Sequence, residues 1–230
     1  MRDGAGRASR AAARHSRGAT LSFYERWILP RLIDLAMRNK EVKRYRGKLI
    51  PVAVGEVLEI GAGSGLNLPF YGAQVRRLHA LEPSEALLRM ASRKLPGAPF
   101  PVELLQGSAE AIPLADRSVD TVVTTWTLCS IPDVAKALRE ARRVLKPGGS
   151  LLFVEHGHAP DASVAGWQQR IEPLWKPLAG GCHLTRRIDQ LIGAAGFEIV
   201  ELENEYLKGP RPLTYTYCGR ARPAWNVMSP

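Results

Sequence analysis

The chain is 230 residues long, 45% hydrophobic and 23% charged, which suits one packed globular domain and no apolar run near the ~20 residues of a membrane span. Its start lacks the continuous apolar core of a secretory signal, and Cys129, Cys182 and Cys218 are too few and too widely spaced for a disulfide framework or a CxxC zinc site. A reducing, cytoplasmic setting is therefore expected.

The formal charge of +10 is unevenly placed. Residues 1–50 hold 13 Lys/Arg against 4 Asp/Glu, and the remaining residues hold 19 against 18. The near-neutral body offers no charged groove, so no nucleic-acid partner is expected. Residues 1–20 carry no large apolar side chain after Met1 and read as a disordered basic arm.

Ser22 and Glu25 have capping-box spacing, and Tyr24, Trp27, Ile28, Leu32, Leu35 and Ala36 then recur at helical intervals, with a kink expected at Pro30. A more basic helix is expected over Lys40–Tyr45. Residues 21–54 read as lid helices. Their aromatic and basic face also suits an anionic membrane surface, so peripheral contact through residues 1–50 is the sharper alternative.

From Gly55 to residue 222 strands and helices alternate. Strands are expected at Glu56–Ile60, Leu78–Leu81, Val102–Leu105, Val119–Thr124 and Leu151–Glu155. Helices are expected at Ser84–Leu95 and Asp133–Leu145, the second with Asp133 as N-cap. Lys146-Pro147-Gly148-Gly149 is a turn, and residues 156–184 break the rhythm. A helix over Thr185–Ala195 and strands at Glu198–Leu202 and Thr214–Cys218 precede a tail at 223–230. This order predicts an α/β, Rossmann-like sheet, mostly parallel, with helices on both faces.

Gly61-Ala62-Gly63-Ser64-Gly65 follows the first strand, where ligands bind open sheets of this kind. Glycine lets the backbone approach a ligand and take positive φ. Glu82, with Pro83, ends the second strand, where a carboxylate can accept ribose hydroxyls. Ser108-Ala109-Glu110 and Thr125-Trp126 follow the third and fourth strands and would wall the pocket.

Val57-Leu58-Glu59-Ile60-Gly61-Ala62-Gly63-Ser64-Gly65, Glu82-Pro83-Ser84, Gly107-Ser108-Ala109-Glu110 and Arg143-Val144-Leu145-Lys146-Pro147-Gly148-Gly149 resemble the motifs of class I S-adenosylmethionine (SAM) methyltransferases. The resemblance implies a seven-stranded sheet with its last strand antiparallel, and SAM as cofactor. It implies cofactor contacts from Glu59, Gly61, Ala62, Gly63, Glu82, Pro83, Leu87, Ser108, Ala109, Glu110 and Thr125.

Trp126-Thr127-Leu128-Cys129-Ser130, Glu155-His156, Trp167-Gln168-Gln169, Pro173-Leu174-Trp175 and Gly181-Cys182-His183-Leu184-Thr185-Arg186 resemble the alkyl thiol methyltransferases. Gly65 to Tyr71 is similar to bacterial phosphatidylethanolamine N-methyltransferases. Asn67, Tyr71, Trp126, Cys129 and Trp167 are candidates for the acceptor pocket, and His156 for a base or orienting group. Glu155, His156, His158, Cys182 and His183 match no established metal spacing, so no metal is expected. Methyl transfer to a small, partly hydrophobic acceptor is expected, a thiol being favoured. The alternatives are phospholipid N-methylation at a membrane and a non-catalytic SAM-binding module.

Overall fold

The fold is read from a computed structural model that describes residues 28–224. Its strands are β1 (Gly55–Ile60), β2 (Val75–Glu82), β3 (Val102–Gln106), β4 (Val119–Thr125), β5 (Leu145–His156), β6 (Phe197–Tyr206) and β7 (Tyr215–Pro223). They form one seven-stranded sheet in the order β3-β2-β1-β4-β5-β7-β6. β1 to β5 pair in parallel, whereas β7 pairs antiparallel with both β5 and β6. The expected sheet and its reversed last strand are both present.

The helices are α1 (Leu29–Ala36), α2 (Lys40–Leu49), α3 (Glu85–Ser92), α4 (Val134–Val144), α5 (Ala162–Leu178) and α6 (Ile188–Ala194). Central strands buried on both faces read as continuous apolar runs rather than alternations. Leu58, Val122 and Phe153 join one core with Leu138 of α4 and Ile188 and Ile192 of α6. Their chain neighbours Val57, Val123 and Leu152 join the opposite core with Tyr45 and Leu49 of α2. Asp133 caps α4 by accepting from Lys136 N at 2.9 Å. Ser84 likewise caps α3 by accepting from Leu87 N.

Several expectations need correction. Pro30 lies in the first turn of α1, where its missing N–H needs no helical partner; Ile28 before it is already helical, with φ −97° and ψ −55°, and the stretch expected to lead into a kink lies outside the described residues. α2 continues to Leu49, and β5 begins at Leu145. Lys146–Gly149 is a bulge between the Val119↔Leu145 and Thr121↔Ser150 pairs. β6 and β7 extend to Tyr206 and Pro223.

The break expected over 156–184 contains the 17-residue α5. Pro173 and Pro177 each remove a helical hydrogen bond, but the carbonyls they free belong to exposed residues, Gln169 and Pro173, and can be solvated. Buried Gln168 anchors the helix: its Oε1 accepts from Ala159 N at 2.9 Å, and its Nε2 donates to the carbonyls of Gly157 and Pro212. The capping box at Ser22–Glu25, Trp27, the arm at 1–20 and most of the expected tail lie outside the described residues.

Candidate active site

A cavity of about 670 Å³ opens at the carboxyl ends of β1, β2, β4 and β5, the position chain reversal dictates in open sheets. The glycine turn forms its floor. Gly61 has φ 73°, and a Cβ there would lie 2.3 Å from Thr127 Oγ1, so close packing requires glycine. Gly63 has φ 56°, but a Cβ there would approach only the Gly61 carbonyl, at 3.9 Å. That open side of the backbone faces the cavity. Ala62, Pro83, Leu87, Ser108, Ala109 and Thr125 also line it.

Glu82 is 6% exposed. Its Oε2 accepts from Gly63 N at 3.0 Å and its Oε1 from Ser84 N at 2.9 Å. Burial raises its pKa, partly offset by those two amides. A carboxylate oxygen has more than one acceptor site, so each retains capacity toward the cavity.

Beneath the turn, Glu59 is fully desolvated. Asn67 Nδ2 donates to its Oε1 at 2.7 Å and Tyr71 Oη to its Oε2 at 2.9 Å. Burial pushes its pKa up to about 7 despite these donors. Asn67 also donates to Thr125 Oγ1 and accepts from Arg46 Nε at 2.7 Å. The Arg46 guanidinium lies 5.6 Å from the Trp126 ring centroid, and burial lowers its pKa. Trp126 itself has φ 51°, uncommon for a bulky residue, and its N–H donates to Val154 O at 2.7 Å.

The other half of the cavity is built on the end of β5. His156 Nδ1 faces Cys182 Sγ at 3.7 Å, while its Nε2 is buried with no hydrogen-bond partner among the described residues. Cys129, Trp175 and Cys182 line the same wall. Glu155 is buried behind it, accepting from Thr127 N at 3.2 Å, and burial pushes its pKa to about 7.

Three expected site residues stand elsewhere. Glu110 does not line the cavity. Its carboxylate accepts from Asp133 N at 2.7 Å and bonds Ser108, so it braces the start of α4. Tyr71 is buried behind Glu59 as a donor to its carboxylate. Trp167 is 55% exposed on the outer face of α5, and Trp175, two turns later, takes the place in the cavity wall. Asp34, Arg46, Cys182 and Lys208 are lining residues absent from the expected set.

A family model for a methyltransferase domain matches residues 58–153. The chain is 39% identical over 150 residues to thiol S-methyltransferase TMT1B of Rattus norvegicus, covering 64% of this chain and 62% of that protein. It is 33% identical over 171 residues to thiol S-methyltransferase TMT1A of Homo sapiens, covering 70% and 69%. The chain belongs to the class I SAM-dependent methyltransferases. It spans about two thirds of the length of these relatives.

Solved structures share the methyltransferase fold. A SAM-dependent methyltransferase from Methanosarcina mazei superposes with TM-score 0.61 at 21% identity, covering 80% of this chain and 97% of that one. The [4+2]-cyclase SpnF superposes with TM-score 0.62 at 18% identity, covering 80% and 81%. One fold thus hosts unlike chemistries, and the acceptor must be argued from side chains. The residues fit this family's cofactor, SAM: the open side of Gly63 leaves room beside the backbone, and Glu82 offers a carboxylate at the cavity edge. Among the described residues no group of three or more His, Cys, Asp or Glu could hold a metal, and no helix is long and apolar enough to cross a membrane.

Proposed function

We propose that this methyltransferase transfers a methyl group from SAM to a small, partly hydrophobic thiol. The observation that carries the reading is His156 on the cavity wall, its buried Nε2 without a hydrogen-bond partner among the described residues. The names of the relatives, thiol S-methyltransferases, point the same way.

When bound, SAM supplies a methyl on a positively charged sulfur, already activated for in-line displacement. The remaining work is alignment and proton removal. Gly61, Ala62 and Gly63 would border the methionine portion, Glu82 would accept the ribose hydroxyls, and Pro83, Leu87, Ser108 and Ala109 would surround the adenine. Thr125 and Asn67 hold the floor through Glu59. A thiol is mostly protonated near neutral pH, and only its thiolate attacks well. With the Nδ1–H of His156 directed at Cys182 Sγ, Nε2 is left as the basic nitrogen of this cavity-lining ring and would take the acceptor proton. Trp126, Trp175 and Cys129 supply the apolar wall.

The test is a product assay with SAM and panels of thiols, amines and phosphatidylethanolamine vesicles, read as S-adenosylhomocysteine and methylated product. Thioethers are expected with the wild type. His156→Gln should lower kcat by about 10²–10⁴ while leaving SAM affinity by calorimetry unchanged. Product from amines or lipid alone, or full thiol turnover by His156→Gln, refutes the proposal.

We also propose peripheral docking on anionic membrane, favoured by an apolar rim at the cavity mouth. Leu32 and Leu35 of α1 and Leu174 and Leu178 of α5 are 50–75% exposed.

A further inference from the structure

The proposed methyl transfer uses His156 but leaves the two thiols beside it unexplained. The segment carrying Cys182 runs directly against the loop carrying Cys129. His183 N donates to the Cys129 carbonyl at 2.8 Å, and a Cβ on Gly181 would lie 3.2 Å from the Ser130 carbonyl. Both residues flanking Cys182 are thus pinned to residues 129–130. The two side chains line one cavity wall, with His156 Nδ1 3.7 Å from Cys182 Sγ.

We propose that Cys129 and Cys182 form a thiol–disulfide exchange site that opens small disulfides inside the acceptor cavity. Cys182 is the attacking sulfur. It is partly exposed, whereas Cys129 is buried behind it. The neighbouring Cys129 and His156 lower the Cys182 pKa, while Cys182 and burial raise that of Cys129. A thiolate attacks a disulfide and a thiol does not, so this division of roles gives one nucleophile and one resolving group.

The steps balance. The Cys182 thiolate attacks one sulfur of R–S–S–R, forming the Cys182–S–S–R bond and expelling one R–S⁻. Cys129 gives its proton to that thiolate, then attacks Cys182 Sγ, forming the Cys129–Cys182 bond and expelling a second R–S⁻. Two electrons pass from the cysteine pair to the disulfide, which leaves as one thiol and one thiolate, and the thiolate takes its proton from water. An external dithiol returns the pair to its reduced form. The released thiols appear beside His156, so a disulfide becomes a source of methyl acceptor without entering as one.

The chemistry needs the cavity and the two sulfurs but no methyl group, so SAM is left out of the test. The full chain is reduced, desalted without air and mixed with bis(2-hydroxyethyl) disulfide. Intact mass and peptide mapping then follow the products. A linked pair of Cys129 and Cys182 peptides is expected, with 2-mercaptoethanol released and Cys218 intact. Cys218, buried away from the cavity, is the internal control and should react at least about tenfold more slowly. Cys129→Ser should instead hold a mixed disulfide on Cys182. Three unreacted thiols in the folded wild type, or modification of Cys218 as fast as Cys182, overturns the proposal. That wild-type readout stands even where a variant folds poorly. Loss of exchange with methyl transfer intact, or the reverse, tells this site's failure from that of the methyltransferase reading.

Discussion

Glu59 and Glu155 are carboxylates enclosed by the sheet, each with its pKa raised from 4.5 to about 7 by burial. The unfolded chain loses these protons near pH 4.5, while the folded chain keeps them until about pH 7. Their contribution to stability is therefore complete below pH 4.5 and lost as pH rises through 7. Each group contributes a slope of up to about 1.4 kcal/mol per pH unit in that window. Glu59→Gln preserves shape and removes one proton from the balance. Urea denaturation at pH 5, 6 and 7 should show a shallower decline than the wild type; parallel curves would refute the account. His158, whose pKa is lowered chiefly by burial, tilts both proteins equally and cancels in the difference. At the cavity edge, Glu82→Ala should weaken SAM binding by about 10- to 100-fold, the usual range for hydrogen bonds to a charged group. Calorimetry showing unchanged affinity would remove Glu82 from the proposed cofactor site. Glu59, Glu82 and the glycines were legible in the sequence because strand ends and turn geometry fix their places locally. Arg46 and Cys182 were not. Arg46 sits in a helix rich in basic residues and looks solvated until folding turns it toward Asn67, and Cys182 meets His156 only through the path of the loop after α5.

At the scale of elements, the sequence carried the alternating strands and helices well, because buried parallel strands announce themselves as apolar runs. It failed at α5, where Pro173 and Pro177 break helical propensity but tertiary anchoring through Gln168 overrides it. α1 depends on context as well. Eight residues are too few for an isolated helix to persist, so contacts must hold it. Asp34 supplies one such contact: it accepts from Ser64 Oγ in the glycine turn and pairs with Arg38 Nη2 at 2.7 Å. Lys94 Nζ donates to the Ser64 carbonyl from the other side. The helix that borders the cavity is therefore clasped to the turn that floors it. Nothing in the spacing of α1 distinguishes Asp34 from an ordinary polar-face residue. Asp34→Ala should cost about 1–3 kcal/mol of local stability, read as faster amide exchange over residues 33–37 with the sheet amides unchanged. Equal protection in both proteins would show that packing alone holds α1.

For the molecule as a whole, apolar exposure gathers at one end. The C-terminal end of α5 abuts α1: a Cβ on Gly180 would lie 3.4 Å from Ile33 Cδ1 and 3.6 Å from Leu29 Cδ2. Leu32 and Leu178 therefore border one cavity mouth, with Leu35 and Leu174 exposed a turn away. Residues 1–50 of the sequence, which include Leu32 and Leu35, hold +9 of the formal charge by the count of 13 against 4. Each Lys or Arg near an anionic bilayer contributes about 1 kcal/mol, and salt screens it; apolar side chains entering the interface add a term that salt leaves in place. The two contributions are separable in sedimentation of the full chain with vesicles. Binding to phosphatidylserine-containing vesicles should be strong at low salt and fall at high salt, with little binding to phosphatidylcholine alone. The double variant Leu35→Asp and Leu174→Asp should lose the portion that survives high salt while thermal unfolding stays near wild type, because both positions are exposed. Equal binding to both lipids, or a double variant indistinguishable from wild type at every salt concentration, would rule out the rim as the docking face. A cavity that opened into the bilayer surface would receive apolar thiols without their crossing water, which would join the acceptor chemistry at His156 to the charge of the arm.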